Sequence, residues 1–433
     1  MTPAMKRANA MIDYQPVILP SIPDLHRIDV YEQHRGYQHI RKAMGMTPDE
    51  VINVVKASGL RGRGGAAFPT GLKWSFMPKE TDKPKYLCVN GDESEPGSFK
   101  DRQIFEFNPH LMIEGILIAG WALGLRAAYI YIRGEYETWV RMVEAAVKDA
   151  YERGYIGERM KQTFGTDFAM DIYVHRGAGA YICGEESSLM NSIEGKRPYP
   201  RVKPPFPAQY GLWGCPTTIN NVETIANVPV IIDRGPDWFK AIGAEKHPGP
   251  ILYGISGHVN KPGVYELPTG MLLTELIHDV AGGVPGGKRI KMVIPGGSSM
   301  PPLRGDQLEG VRMDADSLKE VGSAIGTAGI MVMDEDTDLT RVLTRITHFY
   351  KVESCGQCTP CREGTGWMLK VLHRLEHGDG VSADLDLLHS VASNIEGNTV
   401  CALGDAAAWP VRFMIERFRA ELEAEIRAKS SLS

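Results

Sequence analysis

The sequence has no long apolar run and no excess of positive charge. Its longest apolar run, residues 115–125, is bounded by Glu114 and Arg126 and is too short to cross a bilayer. The 48 Lys and Arg residues are outnumbered by 53 Asp and Glu residues, and the net charge of −5 argues against a general binder of nucleic acid or anionic lipid. The N-terminus lacks a compact apolar segment with a cleavage site, so we expect no signal peptide.

Cysteine is also scarce, and an odd total of seven argues against a disulfide framework and for reduced thiols. Three cysteines near the end are spaced as Cys-x2-Cys-x2-Cys, and a fourth follows after a gap of 39 residues: Cys355, Cys358, Cys361 and Cys401. Four thiolates can hold one tetrahedral metal ion or one [4Fe-4S] cluster. The triplet favours the cluster, because structural zinc, the alternative, more often shows paired Cys-x2-Cys units. The isolated cysteines are expected to be small buried residues: Cys88, Cys183 and Cys215.

A glycine-rich loop covers residues 62–73, but it is neither the dinucleotide-binding fingerprint nor a P-loop. Closely spaced glycines let backbone N–H groups approach a phosphate or a flat ring. A plain flexible connection is the alternative. The loop and the residues after it supply glycines, cations and aromatic rings as candidate cofactor-binding residues: Gly62, Gly64, Gly65, Gly71, Arg63, Lys73, Phe68 and Phe76.

Strand-like runs alternate with helical patterns in the first half of the chain. The runs 85–90, 128–133 and 171–175 precede helical patterns at about 109–123, 137–153 and 181–193. This alternation predicts an α/β domain over residues 46–240 with a mainly parallel sheet covered on both faces. A helix over residues 48–58 is expected at its start, with Thr47 and Glu50 as a capping box. Residues 1–45 are expected to form an irregular N-terminal arm.

The rest of the chain divides into two smaller units. The runs 251–259 and 264–267 flank an Asn-Lys-Pro-Gly turn and predict a hairpin. With a short helix at about 272–280 and a strand at 291–294, they suggest a β-grasp (ubiquitin-like) module over residues 241–336. Helical spacing then recurs in four stripes and predicts a C-terminal helical bundle over residues 337–433. The cysteine triplet is expected in its first loop and Cys401 in its last.

Polar loops follow two predicted strands, and ligands bind at the carboxyl ends of parallel strands. The segment Asn-Gly-Asp-Glu-Ser-Glu-Pro-Gly (90–97) can bind a ribose, a carboxamide or a flavin ring, or can form a solvated turn. The segment Arg-Gly-Ala-Gly-Ala-Tyr-Ile-Cys-Gly-Glu-Glu (176–186) puts glycines at a strand-to-helix junction that suits an anion or a cofactor edge. The later segments 203–207 and 217–224 can cap a helix or bind phosphate.

Together these segments closely resemble the NADH-oxidising flavoproteins of respiratory complex I, a family of 51 kDa-type proteins. Four strings carry the resemblance: residues 59–74, 90–97, 176–186 and Glu-Ser-Cys-Gly-Gln-Cys-Thr-Pro-Cys-Arg-Glu-Gly (353–364). The likeness extends from about residue 35 to 420. It implies the three-part fold predicted above, one FMN, one [4Fe-4S] cluster on the four cysteines, and NADH as the substrate.

The resemblance also assigns roles to site residues. Glu95 is expected to face the nicotinamide carboxamide and Glu185 to tune the flavin environment, as the two candidate catalytic residues. Residues expected around FMN are Gly62, Gly64, Gly65, Lys73, Asn90, Asp92, Tyr181, Gly184, Glu185, Asn220, Asn221 and Thr224. Residues expected around the rest of NADH are Phe68, Phe76 and Phe206 beside the adenine, with Lys203 and Glu186. Three neighbours complete the cofactor-binding set: Arg63, Gly71 and Glu93.

The implied activity is transfer of a hydride from NADH to FMN and of single electrons to the cluster and on toward quinone. The implied partners are a thioredoxin-like [2Fe-2S] subunit and a large multi-cluster subunit, on a peripheral arm at the cytoplasmic side of the bacterial inner membrane. The alternative is the diaphorase subunit of an NAD-linked hydrogenase or formate dehydrogenase, which often carries an N-terminal thioredoxin-like domain; about 45 residues leave no room for one. A different class is a zinc-stapled scaffold that binds nucleotide without turnover.

Overall fold

The computed structural model describes residues 14–431, so residues 1–13 of the predicted arm and residues 432–433 lie outside the described part. The prediction of an irregular arm is wrong for its second half, where α1 (Ile28–Gln33) and α2 (Gln38–Met44) form. The next helix, α3 (Pro48–Ala57), begins as predicted. Its capping box is complete, because Thr47 and Glu50 each bind the other's backbone N–H.

A parallel sheet of four strands forms the centre of the first unit. Its strands are β1 (Tyr86–Gly91), β2 (Ala127–Ile132), β3 (Asp171–Arg176) and β4 (Thr217–Asn221), in the order β3-β2-β1-β4. All three neighbouring pairs are parallel, as predicted. Strand β4 was missed, because its Thr and Asn residues are typical of caps and turns rather than of strands.

Helices cover the sheet: α4 (Thr70–Ser75), α5 (Asp101–Phe107), α6 (Pro109–Leu123), α7 (Glu137–Glu152), α8 (Met160–Phe164), α9 (Glu186–Ile193), α10 (Val222–Arg234) and α11 (Pro236–Lys240). The predicted helix from residue 181 is in fact a 3-10 turn, Tyr181–Gly184, followed by α9. Helix α6 is buried on almost every side, because it packs against both α10 and the arm helix α2.

The second unit is a mixed five-stranded sheet. It contains β7 (Pro250–Gly257), β8 (Gly263–Pro268), β9 (Ile290–Ile294), β10 (Leu303–Arg304) and β11 (Gly329–Asp334), in the order β10-β9-β11-β7-β8. The predicted hairpin is confirmed as β7 and β8, and β7 pairs with β11 in parallel. A short ribbon precedes this sheet, and two short helices complete the unit: β5 (Gly243–Ala244), β6 (His247–Pro248), α12 (Leu273–Glu275) and α13 (Ala315–Glu320).

Four helices form the third unit, as predicted: α14 (Leu339–Glu353), α15 (Thr359–Glu376), α16 (Ala383–Ile395) and α17 (Leu403–Ser430). They enclose a separate apolar core that includes Leu343, Met368, Leu388 and Phe418. The cysteine triplet is only partly in the first loop, because Cys358 precedes α15 and Cys361 lies in its first turn.

The N-terminal segment binds the second unit through one buried carboxylate. Glu266 on β8 accepts hydrogen bonds from the hydroxyl of Tyr14 at 2.9 Å and from the backbone N–H groups of Val17, Ile18 and Leu19. The side chain of Asn108 donates to the carbonyl of Ile18 at 2.8 Å. The segment therefore ties the α/β unit to the mixed sheet. Within residues 14–431, every helix is too short or too polar to cross a membrane.

Candidate functional site

The strand order places a crevice between β1 and β4. From β1 the chain continues to β2 and β3 on one side and returns to β4 on the other, and ligands bind at such switch points, at the carboxyl ends of the strands. Asn90 at the end of β1 pairs in register with Asn221 at the end of β4. The loop after β1 and the N-terminus of α10 therefore meet at this position.

A cavity of about 400 Å³ lies in this crevice, within the size range of small-molecule sites. All three units line it. The α/β unit contributes the glycine-rich loop, the 90–95 loop and the 181–185 turn. The second unit contributes residues 296–300 and 326–327, and the bundle contributes residues 401–409. Predicted site residues that line the cavity are Arg63, Gly64, Gly65, Asn90, Asp92, Glu93, Glu95, Tyr181, Gly184, Glu185, Asn221 and Cys401.

Two glycines let the loop pass close to the end of β4. A Cβ atom at Gly64 would lie 3.0 Å from Cβ of Asn221, and Gly65 has a φ of +114° that side chains rarely adopt. The loop is closed by a hydrogen bond from the N–H of Gly62 to the carbonyl of Phe68 at 2.8 Å. The glycine spacing thus serves close backbone approach at the cavity wall.

Arg63 and Gly71 have clear structural contacts. The guanidinium of Arg63 is buried, contacts the ring of His247 and donates to the carbonyl of Pro248. Arg63 therefore binds strand β6 of the short ribbon. A Cβ atom at Gly71 would lie 2.4 Å from the backbone of Lys56, so this glycine allows α4 to pack on α3. Neither contact involves the cavity, and a direct cofactor role for these two residues stays a prediction.

The carboxylates of the 90–95 loop have different surroundings. Glu93 is buried and accepts hydrogen bonds from the backbone N–H groups of Lys100 at 2.7 Å and Asp101 at 2.9 Å, so it fixes the start of α5. Asp92 accepts from the hydroxyl of Ser94 through Oδ1, while its buried Oδ2 has no partner among the described residues. Burial raises the pKa of Asp92 to about 7. Asp92 therefore lies on the cavity wall with one buried carboxylate oxygen unpaired among the described residues.

Glu95 uses both of its carboxylate oxygens as acceptors. Its Oε2 accepts from the hydroxyl of Tyr181 at 2.7 Å. Its Oε1 accepts from the backbone N–H of Ser299 at 2.7 Å and from the hydroxyl of Ser298 at 3.2 Å. The orientation of this carboxylate is consequently set by residues far apart in sequence.

The asparagines and Thr224 organise the strand ends. The side chain of Asn90 donates to the carbonyl of Gly184 at 2.8 Å, which ties β1 to the 181–184 turn. Asn221 caps α10 by accepting from the N–H of Glu223 at 2.9 Å. Asn220 accepts from the indole of Trp74, and Thr224 accepts from the N–H of Arg63 at 2.8 Å. Capping and loop fixation therefore account for these polar groups, beside any cofactor contact.

A charged and aromatic entrance lies beside the cavity. Lys203 pairs with Glu185 at 3.1 Å and with Glu186 at 2.5 Å, and Lys73 pairs with Glu186 at 3.2 Å. Burial alone would raise the pKa of Glu186, but these two ammonium groups lower it. The ring centroids of Phe68 and Phe76 lie 6.1 Å apart, and Phe206 follows Lys203 in the chain. All three rings are exposed. We call these rings the aromatic shelf.

Sequence reasoning missed several residues that line the cavity. Lys100 and Asp101 form a buried ion pair, and Asp101 accepts from the side chain of Asn221 at 2.6 Å. The second unit contributes Gly296, Ser299, Met300, Gly326 and Thr327. The Gly-Gly-Ser-Ser string at 296–299 could have indicated a further cavity loop, because its composition is similar to that of the other loops that line the cavity.

The four predicted metal ligands lie together. All four belong to one apolar cluster with Ile182, Tyr350 and Leu403, and Cys401 also lines the cavity. Burial raises the pKa of Cys361 to about 11 and that of Cys401 to about 12. In residues 14–431, His, Cys, Asp and Glu side chains do not converge in groups of three as one metal ion requires. Four thiols in one cluster supply the ligand number that a [4Fe-4S] cluster requires.

The isolated cysteines match their prediction in part. Cys88 and Cys183 are buried, but Cys215 is only partly buried, because it lies in the loop before β4.

The cavity itself fits a flavin nucleotide. It has glycines where the loop approaches β4 most closely, and polar side chains at the strand ends line it.

The fold and the site define an oxidoreductase chain of the flavin and iron–sulfur type. Three family models match the chain: "Nuo51 FMN-binding domain" at residues 55–230, "SLBB domain" at 252–332 and "NADH-ubiquinone oxidoreductase-F iron-sulfur binding region" at 341–425. The chain is 52% identical to the F 2 subunit of NADH-quinone oxidoreductase of Rhizobium meliloti, over 96% of this chain and 99% of that protein. It is 55% identical to the F subunit of NADH-quinone oxidoreductase of Rickettsia bellii, over 87% and 90%.

A solved structure is also similar. An NAD+-reducing [NiFe]-hydrogenase in the H2-reduced state matches with a TM-score of 0.80 and 34% identity, over 89% of this chain and 63% of the hydrogenase chain. The chain thus spans less than two thirds of that hydrogenase chain. By its near full-length identity to the curated relatives, the chain belongs to the family of NADH-quinone oxidoreductase F subunits.

Proposed function

We propose that this chain oxidises NADH within a complex I assembly. FMN occupies the cavity, NADH enters over the aromatic shelf, and a [4Fe-4S] cluster is held by Cys355, Cys358, Cys361 and Cys401. One observation carries the proposal: a single cavity is lined by the glycine-rich loop, by the 90–95 loop and by the segment that begins at Cys401. The flavin position and the cluster position therefore share a wall.

When bound, FMN accepts a hydride from NADH and releases its electrons one at a time to the [4Fe-4S] cluster. The chain has to hold the two groups, orient NADH and keep water from the space between. Asp92 lies on the cavity wall, and the side chain of Asn90 is held in place by its hydrogen bond to the carbonyl of Gly184. The ammonium groups of Lys73 and Lys203 offer positive charge to phosphates at the entrance.

Glu95 and Glu185 have positions that suit orientation rather than acid–base chemistry. Glu185 is fixed at the N-terminus of α9, where it accepts from the N–H groups of Ser187 at 2.8 Å and Ser188 at 3.0 Å. Its carboxylate is therefore a fixed negative charge beside the cavity, which suits tuning of a flavin. Glu95 is fixed by its three donors and suits the carboxamide of NADH.

Apolar side chains separate the cavity from the cysteines. Ile182, Leu403 and Ala406 line the cavity and also belong to the apolar cluster that contains the four cysteines. A dry wall of this kind excludes water from the path of single electrons. Electrons then leave to the partners that we propose, a thioredoxin-like [2Fe-2S] subunit and a large multi-cluster subunit, on the cytoplasmic side of the inner membrane.

We also propose the divisions at residues 45, 240 and 336 as domain boundaries.

The alternative, a diaphorase subunit of an NAD-linked hydrogenase, is supported by the structural likeness to the NAD+-reducing hydrogenase. Its identity of 34% is lower than the 52% to the Rhizobium meliloti relative. The complex I assignment is therefore preferred. Co-purification of the chain with quinone-reducing activity, rather than with hydrogenase activity, distinguishes the two.

The test is Cys358→Ser in the full-length chain, with Cys215→Ser as the control. Cys358 belongs to the cysteine cluster, whereas Cys215 lies in the loop before β4. We expect Cys358→Ser to lose bound iron and the broad visible absorbance of a cluster while it keeps FMN. NADH should still bleach the flavin, but onward electron transfer should collapse. Normal onward transfer in Cys358→Ser would contradict the proposed route.

A further inference from the structure

The carboxylate of Glu95 is held by all three units of the chain. Tyr181 of the α/β unit donates to Oε2, and the Ser298–Ser299 segment of the second unit donates to Oε1. Tyr350 of the bundle lies 2.9 Å from the hydroxyl of Ser298, and its own hydroxyl is 3.5 Å from Oε1. Because the contacts come from three units, the position of Glu95 depends on their docking.

The 296–299 loop fits closely around Glu95. Gly297 has a φ of +96°, and a Cβ atom there would lie 2.5 Å from Cγ of Glu95. The backbone N–H of Ser298 donates to the carbonyl of Pro96 at 3.0 Å, directly after Glu95. The loop therefore fixes both the backbone and the side chain of this position, and only glycine at residue 297 permits the approach.

Tyr350 supports the loop from the other side. It is buried at the C-terminal part of α14, and its ring lies 5.9 Å from that of Tyr181. Burial and then the negative charge of Glu95 raise the pKa of both tyrosines well above the ordinary value, so both hydroxyls stay protonated and able to donate. Tyr350 can thus donate to Ser298 while the hydroxyl of Ser298 donates to Glu95.

The two oxygens of Glu95 differ in the acceptor capacity that remains. Oε1 has two donors within 3.2 Å, the N–H of Ser299 and the hydroxyl of Ser298, whereas Oε2 has one donor in the described part of the chain. A carboxylate oxygen accepts about two hydrogen bonds. Oε2 is therefore the oxygen that can accept an N–H from a ligand in the cavity.

We propose that Ser298 and Tyr350 are positioning residues for NADH binding. Tyr350 orients the hydroxyl of Ser298, which together with the N–H of Ser299 saturates Oε1 of Glu95 and leaves Oε2 directed to the nicotinamide carboxamide. The inference rests on the proposed function, since it assumes that Glu95 binds this amide. It gives the second unit and α14 a part in recognising the substrate, beyond their part in the fold.

The experiment measures ligand binding to the full-length chain loaded with FMN. The variants are Ser298→Ala and Tyr350→Phe, and calorimetry gives the dissociation constants of NAD+ and of ADP-ribose, which lacks the nicotinamide ring. We expect about 5- to 10-fold weaker binding of NAD+, as for loss of one typical hydrogen bond, and ADP-ribose binding within about twofold of the parent. FMN content should not change.

Matched controls make the same atomic changes elsewhere. Ser323→Ala removes a hydroxyl that donates to the carbonyl of Pro301, and Tyr265→Phe removes one that donates to the carbonyl of Lys261. Both lie in the second unit, and because neither hydroxyl is hydrogen-bonded to Glu95, Ser298 or Tyr350, both variants should leave the two dissociation constants unchanged. Equal weakening of NAD+ and ADP-ribose in Ser298→Ala and Tyr350→Phe, or no weakening of NAD+, would overturn the proposal.

A further variant, Glu95→Gln, separates this inference from the proposed function. If Glu95→Gln binds NAD+ as the parent does, the assumed role of Glu95 fails. If Glu95→Gln weakens NAD+ while Ser298→Ala and Tyr350→Phe do not, only the positioning role fails. If all three variants weaken NAD+ and spare ADP-ribose, both stand.

Discussion

The ammonium group of Lys100 lies 2.6 Å from Oε2 of Glu223, and both side chains are almost completely buried. Lys100 also lies 2.8 Å from Oδ1 of Asp101, and Oε1 of Glu223 accepts from the N–H of Leu252 on β7. These contacts join the start of α5, the start of α10 and the mixed sheet beneath the cavity. The ion pair is therefore a joint between two units as well as a part of the cavity wall.

Removal of the cation from this joint should destabilise the chain strongly. Burial raises the pKa of Glu223, and the charge of Lys100 opposes that shift. In Lys100→Met the two carboxylates lose their buried counter-charge, and we expect a loss of about 3–5 kcal/mol in the free energy of unfolding. Urea unfolding followed by circular dichroism measures this loss.

Lys79→Met is the matched control, because Lys79 pairs with Asp49 at 2.7 Å on the surface. An exposed pair contributes about 0–1 kcal/mol, so this variant should unfold almost as the parent does. Similar losses in the two variants would show that the buried joint contributes no more than a surface pair.

Asp92 predicts a pH dependence of stability in the FMN-free chain. Burial raises its pKa from the ordinary value near 4 to about 7, so the folded state binds the proton more tightly than the unfolded state does. Its contribution to stability is present at low pH and is lost as the pH rises from about 4 to about 7. The difference in urea midpoint between the parent and Asp92→Asn should follow this window, and a difference that is constant from pH 4 to 8 would contradict it.

Most of the fold could be predicted from local patterns. The capping box at Thr47 and the alternating runs of β1, β2 and β3 are encoded within a few residues each, and the structure confirms them. Strand β4 could not be predicted in this way. Its residues Thr217–Asn221 form a strand only because β1 offers a parallel edge, with which Asn90 and Asn221 pair. The arm helices likewise depend on a distant partner, since Glu114 on α6 accepts from Tyr31 and from the N–H of Ile40.

Gly71 tests the distinction between packing and cofactor binding. A Cβ atom there would lie 2.4 Å from the backbone of Lys56, so Gly71→Ala should cost about 1–3 kcal/mol of stability through overpacking. The FMN dissociation constant of the folded fraction should change little. Unfolding and FMN titration measure the two effects, and a large loss of FMN affinity without loss of stability would instead support the cofactor role.

Gly366 supplies the control for that substitution. It lies inside α15 with open space around its Cβ position, so Gly366→Ala should be neutral or should stabilise the chain by up to about 1 kcal/mol. Gly71→Ala should therefore lower the free energy of unfolding, whereas Gly366→Ala should leave it unchanged or raise it. The difference is expected because only Gly71 has backbone atoms close to its Cβ position.

The candidate site was predictable where its residues share a loop, and less so where they come from different units. Asn90, Asp92 and Glu95 lie at or just after the end of β1. Ligands bind at the ends of parallel strands, so these residues could be identified from sequence. Ser298 and Tyr350 meet Glu95 only through docking of the second unit and the bundle, across more than 200 residues of sequence. No periodicity or local motif reports such a contact.

The aromatic shelf predicts that two adenine-containing ligands are weakened together. Phe206 is 55% exposed three residues after Lys203, and an exposed ring of this kind is suited to stack on a base. Phe206→Ala should weaken the binding of both NAD+ and ADP-ribose by about 1 kcal/mol or more, because both carry adenine. Trp367, which is 56% exposed on α15 of the bundle, provides the control Trp367→Ala with no expected change. Calorimetry on the FMN-loaded chain measures both ligands, and loss of NAD+ binding with intact ADP-ribose binding would place Phe206 at the nicotinamide instead of at the adenine.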